Sequence, residues 1–158
     1  MTDMLVKLYT LPELAPVLVQ QRAQDVDIRR ALVPERHLVV EWVRQHWGAG
    51  WASECATAFA RQPVSCFVAT AAGQLAGFAC HEATYKNFFG PFGVDVAQQR
   101  RGIGAALLLA TLHDMAAQGY AYAIIGGVGS GELFTRVAGA IPIDDSTPGI
   151  YRGLLRSR

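Results

Sequence analysis

The chain has 158 residues, of which 51% are hydrophobic and 17% charged, so it can build a sizeable core and is not expected to be disordered. Its 14 basic and 13 acidic residues leave a formal net charge of +1, which gives no general attraction to nucleic acid or to an anionic membrane. Any recognition of phosphate must therefore be local. We expect a single domain over residues 1–158, with neither nucleic acid nor a membrane as partner.

The three cysteines, Cys55, Cys66 and Cys80, are odd in number and include no C-x-x-C pair. They indicate neither a disulfide framework nor a thiolate zinc site, so we expect buried free thiols and no metal. The N-terminal segment lacks the apolar region of a signal peptide, and no apolar stretch is long enough to span a bilayer. These features predict a soluble, cytoplasmic protein.

The first part of the chain predicts a strand followed by helices. The predicted elements are, in order, a strand over 4–9, a helix over 13–23 whose start is blurred by Pro16, a charged connection over 24–33, an amphipathic helix over 34–47 and a short helix over 51–61. Trp42, Trp47 and Trp51 flank the glycine break between the last two helices. Packing on the sheet is the favoured interpretation of these tryptophans, and a substrate-facing aromatic wall is the alternative.

The second part predicts an antiparallel meander and then alternating helices and strands. The predicted elements are strands over 65–70, 75–84 and 87–96, an apolar helix over 105–117 ended by Gly119, a strand over 120–126, a helix over 132–138, and two last strands over 140–143 and 149–154. The third strand of the meander leads directly into a turn that carries two glycines.

That turn is the run Gln99-Arg100-Arg101-Gly102-Ile103-Gly104. A helix start has unpaired N–H groups and a partial positive charge, so a strand, a glycine turn and a helix together favour an anion site. Glycines let a bulky anion approach the backbone, and the two arginines add donors and charge. The run therefore predicts a phosphate-binding site.

Two nucleotide-binding motifs do not fit this run. A Rossmann fingerprint requires a third glycine, where Leu107 stands, and an acidic residue on the next strand, which 120–126 lacks. A Walker loop requires a Gly-Lys-Ser/Thr sequence, and none follows.

The run does match Q/R-x-x-G-x-G/A, the pyrophosphate motif of the GCN5-related N-acetyltransferases, and the chain resembles this family. Residues 94–105 are similar to the family segment V-x-P-x-x-R-x-x-G-x-G, with Val96 in place of the proline and Gln99 as the permitted alternative to arginine. The order of predicted elements is also similar over most of the chain. The resemblance implies an α/β (α+β) fold with a mixed, largely antiparallel sheet of about seven strands, splayed at the acyl-CoA site, and helices on both faces.

The resemblance also implies which residues hold acetyl-CoA. Backbone N–H groups from about Arg101 to Ala105 would bind the pyrophosphate, and the backbone of Val94 and Val96 would pair with the pantetheine. The implied cofactor-binding set is Val94, Val96, Gln99, Arg100, Arg101, Gly102, Ile103, Gly104 and Ala105.

The catalytic groups are less clearly indicated. Phe134 stands where many family members have the tyrosine that protonates the departing thiolate, so the usual general acid is missing. As candidate bases we consider His81 and Glu82, late on the second meander strand, and Asp95 at the end of the next. Each has a structural alternative, as a strand-surface, hairpin or capping residue.

The sequence thus predicts an acetyl-CoA-dependent N-acetyltransferase acting by direct attack in a ternary complex, with a small-molecule or peptide amine as acceptor. A catalytically silent acyl-CoA-binding module is the alternative that Phe134 motivates, and a nucleotide-binding oxidoreductase is the third hypothesis. The aromatic residues Trp42, Trp47, Trp51, Phe88, Phe89 and Phe92 slightly favour an acceptor that is partly hydrophobic. The oligomeric state stays open, a homodimer included.

Overall fold

A computed structural model describes residues 1–156, which form one seven-stranded sheet with helices on both faces. The strands are β1 Thr2–Lys7, β2 Val26–Arg30, β3 Cys66–Ala71, β4 Gln74–His81, β5 Phe88–Val94, β6 Tyr122–Val128 and β7 Ile141–Pro142. The α-helices are α1 Ala15–Arg22, α2 Arg36–Trp47, α3 Ala49–Phe59, α4 Ile103–Ala117 and α5 Glu132–Ala138. No helix in this described part is both long and apolar enough to cross a membrane.

The strands lie in the order β2-β3-β4-β5-β6-β1-β7, and neighbours are antiparallel except for the pair β5 and β6. Helix α4 makes the crossover between these two parallel strands. The predicted mixed, largely antiparallel sheet is confirmed. Strands β5 and β6 pair at only two positions, Phe88 with Ile124 and Phe89 with Ile125. The two strands therefore separate beyond Phe89. The predicted splay is therefore present.

Alternate residues of β3 face opposite sides of the sheet, and each side has its own core. Phe67 and Ala69 pack with helix α4, whereas Cys66 and Val68 pack with α2 and α3. This division follows from the alternating direction of side chains along a strand. The sheet is thus a middle layer, with α1 and α4 on one face and α2 and α3 on the other.

Helix α4 is buried around most of its circumference, since nine of its residues are inaccessible to solvent. Burial of a leucine side chain contributes about 2 kcal/mol, and α4 buries Leu107, Leu108, Leu109 and Leu112. Gly102 precedes the helix in the left-handed region at φ 78°, and Gly119 follows it at φ 101°. The apolar helix and the glycine after it occur as predicted, and α4 is held rigidly enough to define the geometry of the turn before it.

The structure contains one strand that the sequence did not predict. Residues 24–33 were expected to form a connection, but Val26–Arg30 is the edge strand β2 and pairs with β3. The charge of this segment obscured a two-residue alternation in which Val26 and Ile28 are buried and Asp27 is exposed. Its charged residues suit an edge strand, because they discourage pairing with another chain.

The predicted last strand over 149–154 is wrong. A 3-10 turn occupies Gly149–Tyr151, and Gly149 and Gly153 have φ values of 56° and 75°, which no extended strand permits. Smaller shifts occur at β6, which starts at Tyr122 rather than residue 120, and at α1, which starts at Ala15 because Pro16 fits the first helical turn. Helix α5 has the predicted bounds.

Candidate functional site

The separation of β5 from β6 opens a cavity of about 230 Å³ in the middle of the sheet. We call this the strand cavity. Residues 89–92 of β5 line one side and residues 125–128 of β6 line the other, while Trp51, Glu54, Thr84, Phe134 and Tyr151 complete the wall. The cavity therefore exists because two parallel neighbours stop hydrogen bonding after Phe89.

A second, larger opening of about 530 Å³ lies at the N-terminus of α4. We call this the helix groove. Its lining residues are Phe92, Val94, Gln98, Gln99, Arg100, Gly102, Ile103, Gly104, Ala105, Leu133 and Arg136. Phe92 lines both openings, so the helix groove and the strand cavity adjoin along β5.

The start of α4 supplies unpaired backbone donors to the helix groove. The N–H of Ala106 bonds to the carbonyl of Gly102, so the N–H groups of Ile103, Gly104 and Ala105 precede the first intrahelical bond. A Cβ added at Gly104 would make an ordinary 3.4 Å contact with Cζ of Phe92, so a methyl group fits here and a larger side chain would extend beside Phe92. The helix start can hold an anion at these N–H groups.

The two arginines of the motif point in different directions. Arg100 lines the helix groove, but the guanidinium of Arg101 donates to Oε1 of Gln98 at 2.5 Å and to the carbonyl of Gln24 at 2.9 Å. The Arg101 carbonyl in turn accepts from Nε2 of Gln21 at 3.0 Å. Arg101 therefore connects the turn to the end of α1. Arg100 and Arg136 are the two cationic side chains that line the helix groove.

Two polar side chains, one on α3 and one in the segment after β4, form a hydrogen bond in the wall of the strand cavity. The hydroxyl of Thr84 donates to Oε1 of Glu54 at 2.5 Å, and both residues are partly exposed in the cavity wall. Helix α3 places Glu54 at this point because the same helix buries Ala52, Cys55 and Phe59 against the sheet. The cavity thus contains one carboxylate with a fixed orientation.

The phenol of Tyr151 is a further polar group in the lining of the strand cavity. Burial raises its pKa, and the nearby carboxylates of Glu54 and Asp3 raise it further, so the hydroxyl keeps its proton at neutral pH. A Cβ at Gly126 would lie 2.6 Å from the Tyr151 oxygen, so only glycine leaves room for this ring. Asp3 accepts from the N–H of Gly127 at 2.8 Å and holds β6 beside it.

Phe134 gives the cavity an apolar wall. Its ring centroid lies 6.0 Å from that of Phe92 and 6.2 Å from that of Phe89, both in edge-to-face arrangements. Trp51 lines the cavity too and stacks on Trp47 at 5.6 Å. Aromatic walls of this kind bind apolar groups and stabilise cations that lie over their faces.

The expected packing of the tryptophans is confirmed for all three. Trp42, Trp47 and Trp51 lie against the core formed with α2 and α3, and a Cβ at Gly93 would lie 2.5 Å from the Trp47 ring. Trp51 also has the alternative role, since it lines the strand cavity. Of the six aromatic residues proposed for the acceptor pocket, Trp51, Phe89 and Phe92 line it.

His81 lies away from both openings. It is 0% exposed, and its Nε2 is 2.7 Å from Oδ2 of Asp114, which also forms an ion pair with Arg30. Burial alone would raise the pKa of Asp114, but the hydrogen bonds from His81 and Arg30 outweigh it and hold that pKa at about 2. His81, Asp114 and Arg30 form a polar cluster that joins β4, α4 and β2.

Glu82 and Asp95 also occupy structural positions. Glu82 is 9% exposed, with φ 56°, and its Oε1 accepts from the N–H of Asn87 at 2.6 Å, so it closes the β4–β5 connection. Asp95 caps the 3-10 turn after β5 by accepting from the N–H of Ala97 at 3.0 Å. Neither residue lines the strand cavity.

The predicted cofactor-binding residues lie together in the helix groove, with two exceptions. Val94, Gln99, Arg100, Gly102, Ile103, Gly104 and Ala105 line it. Val96 is 82% exposed beyond the end of β5, and Arg101 is turned to α1. Sequence reasoning missed Arg136 and Leu133, although their position on the helix after β6 was a usable signal, since α5 packs beside α4.

Glu54 and Tyr151 were missed as well. The helical period of α3 places Glu54 on a different face from Ala52. This period does not reveal that the face of Glu54 borders a cavity. The sequence predicted Tyr151 to lie in a strand, but its side chain contacts Gly126, which lies on β6 and is distant in the sequence. Both positions depend on long-range packing.

The mixed sheet, with its two separated parallel strands and a glycine turn at the start of α4, is the fold that the comparison with protein families also identifies. The Acetyltransferase (GNAT) family model matches residues 35–135, which is more than half of the chain. The chain belongs to the acetyltransferase (GNAT) family. A comparison with curated proteins finds no significant match.

Solved structures share the fold at low sequence identity. A GCN5-related glucosamine N-acetyltransferase region of a fungal multi-domain beta-N-acetylglucosaminidase is 12% identical, with a TM-score of 0.72 over 90% of this chain and 19% of that one. A GCN5-related N-acetyltransferase from Sphaerobacter thermophilus is 16% identical, with a TM-score of 0.64 over 90% of this chain and 48% of that one. Another from Kribbella flavida is 15% identical, with a TM-score of 0.62, over 89% and 53% respectively. The chain thus spans about half or less of the length of these structures.

Proposed function

We propose that this protein is an N-acetyltransferase that moves the acetyl group of acetyl-CoA to the amine of a small molecule or an exposed protein amine. The observation that carries the proposal is the junction at Phe92, where the helix groove with its anion site adjoins the strand cavity with its single carboxylate. One opening suits a phosphate-bearing donor, and the other suits an amine. Their junction would bring the two reacting groups together.

The residues of the helix groove fit coenzyme A. A pyrophosphate requires several donors on one side, and the groove offers the N–H groups of Ile103, Gly104 and Ala105 with Arg100 and Arg136 beside them. Phe92, Val94 and Leu133 supply an apolar side, which suits the less polar arm that joins the pyrophosphate to the thioester. Acetyl-CoA supplies an activated acyl group on a thiol that leaves readily.

Glu54 is the residue that would take a proton from the acceptor amine. Its Oε1 accepts from Thr84, and in the described part of the chain no hydrogen bond occupies Oε2. An ammonium group would bind at Oε2 and lose a proton to Glu54 or through a water held by it. Thr84 restricts the carboxylate to one orientation, which favours a defined attack geometry.

Tyr151 would supply the proton that the usual tyrosine supplies in the family. Phe134 lacks a hydroxyl group, but the Tyr151 hydroxyl lies in the same cavity beside Gly126, and its raised pKa keeps it protonated. The hydroxyl can donate to the departing thiolate, while Phe134 excludes water from that side. The lining of the strand cavity includes no cysteine, which supports direct transfer in a ternary complex.

The cavity favours an acceptor with one positive charge and an apolar or aromatic body. Trp51, Phe89, Phe92 and Phe134 form most of its apolar wall, and Glu54 is its one acidic side chain. A polycation would require several carboxylates to replace its hydration, and the lining does not provide them. An arylalkylamine such as 2-phenylethylamine is therefore a suitable probe.

Two measurements test the proposal. Calorimetry of the protein with acetyl-CoA should show binding of one molecule per chain, and 2-phenylethylamine should then release free CoA thiol faster than spermidine does. Absence of acetyl-CoA binding would reject the proposal. Binding without acyl transfer to any amine in a broad panel would instead establish the catalytically silent acyl-CoA-binding module, for which Phe134 is the structural argument.

A further inference from the structure

The three cysteines of the chain meet at one point, although they lie on three different elements. Cys55 is on α3, and Cys66 and Cys80 are opposite each other in the β3–β4 ladder. Their sulfur atoms all lie within 4.8 Å of one another, and each residue is 0% exposed. We call this group the three-thiol cluster. Because the sequence contains exactly these three cysteines, every thiol of the protein belongs to it.

The cluster is distinct from the acyl-transfer site. It lies in the core between the sheet and helices α2 and α3, among Val39, Val43, Phe59 and Phe78, and none of its cysteines lines the strand cavity or the helix groove. The cysteines are free rather than joined in a disulfide. Three sulfur atoms thus converge in an apolar, fully buried environment.

We propose that the three-thiol cluster binds a single soft, monovalent metal ion, Cu(I). When three sulfurs surround a metal ion in one plane at about 2.3 Å, the sulfurs lie about 4 Å from one another. The three sulfurs here are within 4.8 Å of one another, so each pair would need to approach by less than about 1 Å. Thiolate ligands select Cu(I) by their softness. The predicted buried free thiols are confirmed, but the sequence did not predict that the three sulfurs converge.

The number of ligands distinguishes Cu(I) from zinc. Structural zinc is almost always held by four ligands in a tetrahedron, and the described residues bring only three thiols together here. A water molecule as fourth ligand would require access that the fully buried residues do not have. The site therefore suits an ion that is stable with three sulfur ligands or fewer.

Charge balance requires that thiol protons leave as the ion binds. Cu(I) replaces two thiol protons to give a site with one net negative charge, and loss of the third proton adds another. Because an unpaired charge is costly in an apolar core, the form with a single net negative charge is favoured over the form with two.

A buried site of this kind must load while the core is open. Metal binding by groups that are dispersed in the unfolded chain contributes to the free energy of folding. Refolding the reduced protein without oxygen in the presence of one equivalent of Cu(I) should therefore load the site, and copper added to the folded protein should enter slowly. The loaded protein should also melt at a higher temperature than the metal-free protein.

The test is refolding with Cu(I), removal of free metal with a competing chelator, and measurement of bound copper and of its X-ray absorption spectrum. We expect one copper per chain with a shell of sulfur neighbours only. Cys80→Ala should lose at least tenfold in retained copper, whereas Val68→Ala removes buried volume from the same core without removing a sulfur and should retain it.

Three outcomes of the copper measurements and one of the competition with zinc would overturn the proposal. The copper outcomes are a folded protein that retains no copper, a copper shell containing nitrogen or oxygen, and equal copper retention by Cys80→Ala and the parent chain. Retention of Zn²⁺ in preference to Cu(I) under the same competition would likewise contradict the assignment. None of these outcomes depends on whether the protein transfers acetyl groups.

Discussion

The hydroxyl of Thr84 donates to Oε1 of Glu54 at 2.5 Å, and this bond connects the segment after β4 to helix α3 at the mouth of the strand cavity. The contact joins residues 30 positions apart in the chain. It restricts the rotation of a partly exposed carboxylate in the cavity wall. The proposed base is therefore oriented before an acceptor binds.

Glu54→Gln should slow acetyl transfer to 2-phenylethylamine by about 100-fold or more, because the amide cannot take the acceptor's proton. Acetyl-CoA affinity should change little, since Glu54 does not line the helix groove. The measurements are steady-state release of CoA thiol and calorimetry. Glu41→Gln, an exposed substitution on α2, is the matched control, and an equal effect of both variants would contradict the role of Glu54.

Tyr151→Phe should lower kcat by about tenfold while KM for acetyl-CoA stays near its original value, because the phenol acts on the leaving group rather than on binding. The double variant Tyr151→Phe, Phe134→Tyr returns a hydroxyl to the opposite wall of the cavity and should recover part of that loss. Rate measurements across pH test both variants. Unchanged kcat in Tyr151→Phe would exclude its phenol as the proton donor.

Gly104→Leu should weaken acetyl-CoA binding by at least 100-fold, since any atom beyond Cβ must enter the helix groove beside Phe92. Gly104→Ala should bind within a few-fold of the parent, because its Cβ would make only an ordinary 3.4 Å contact. Both substitutions replace a helical glycine and should leave folding intact, with a gain of up to about 1 kcal/mol for alanine. Calorimetry and thermal melts separate binding from stability, and equal affinities of the two variants would show that the groove is not the donor site.

The two arginines near the motif should respond differently to substitution. Arg136→Gln should weaken acetyl-CoA binding by about tenfold, and the effect should shrink as salt rises, because a charge in the groove is lost. Arg101→Gln should instead lower the free energy of unfolding by about 1 kcal/mol, because it removes the bonds to Gln98 and Gln24. Calorimetry at two salt concentrations and urea denaturation distinguish these results, and a reversal of the two effects would refute the assignment.

Asp114→Asn should destabilise the protein by about 3 kcal/mol at pH 7, because it removes the negative charge that pairs with Arg30 and leaves only the bond to the Val64 carbonyl and a neutral amide beside it. The pKa of Asp114 is held at about 2, below its value in the unfolded chain, so its contribution is present above about pH 4 and disappears as pH falls towards 2. Urea denaturation at pH 7 and pH 3 should therefore show a smaller difference between variant and parent at pH 3. Asp144→Asn at an exposed position is the control, and a difference independent of pH would contradict the ion-pair account.

The glycine turn at the start of α4 was predictable because it depends on neighbouring residues. Gly102 and Gly104, the strand before them and the helix after them all lie within one continuous stretch, and the apolar composition of α4 is visible in its leucines. Helix α5 was predicted for the same reason. The edge strand β2 was missed because its two buried residues lie among charged ones. The turn at Tyr151 was missed because Gly149 and Gly153 interrupt the segment that was expected to be extended.

The sequence by itself determined the family, the meander, the helix-start motif and most of the residues that line the helix groove. Tertiary structure alone decided that Arg101 fastens the turn while Arg136 lines the groove, that His81 is held by Asp114, and that Glu54 and Tyr151 share a cavity. It also brought Cys55, Cys66 and Cys80 together. The physical reason is that periodicity and turn chemistry act over a few residues, whereas the direction of a side chain and its partners depend on which distant elements pack against it.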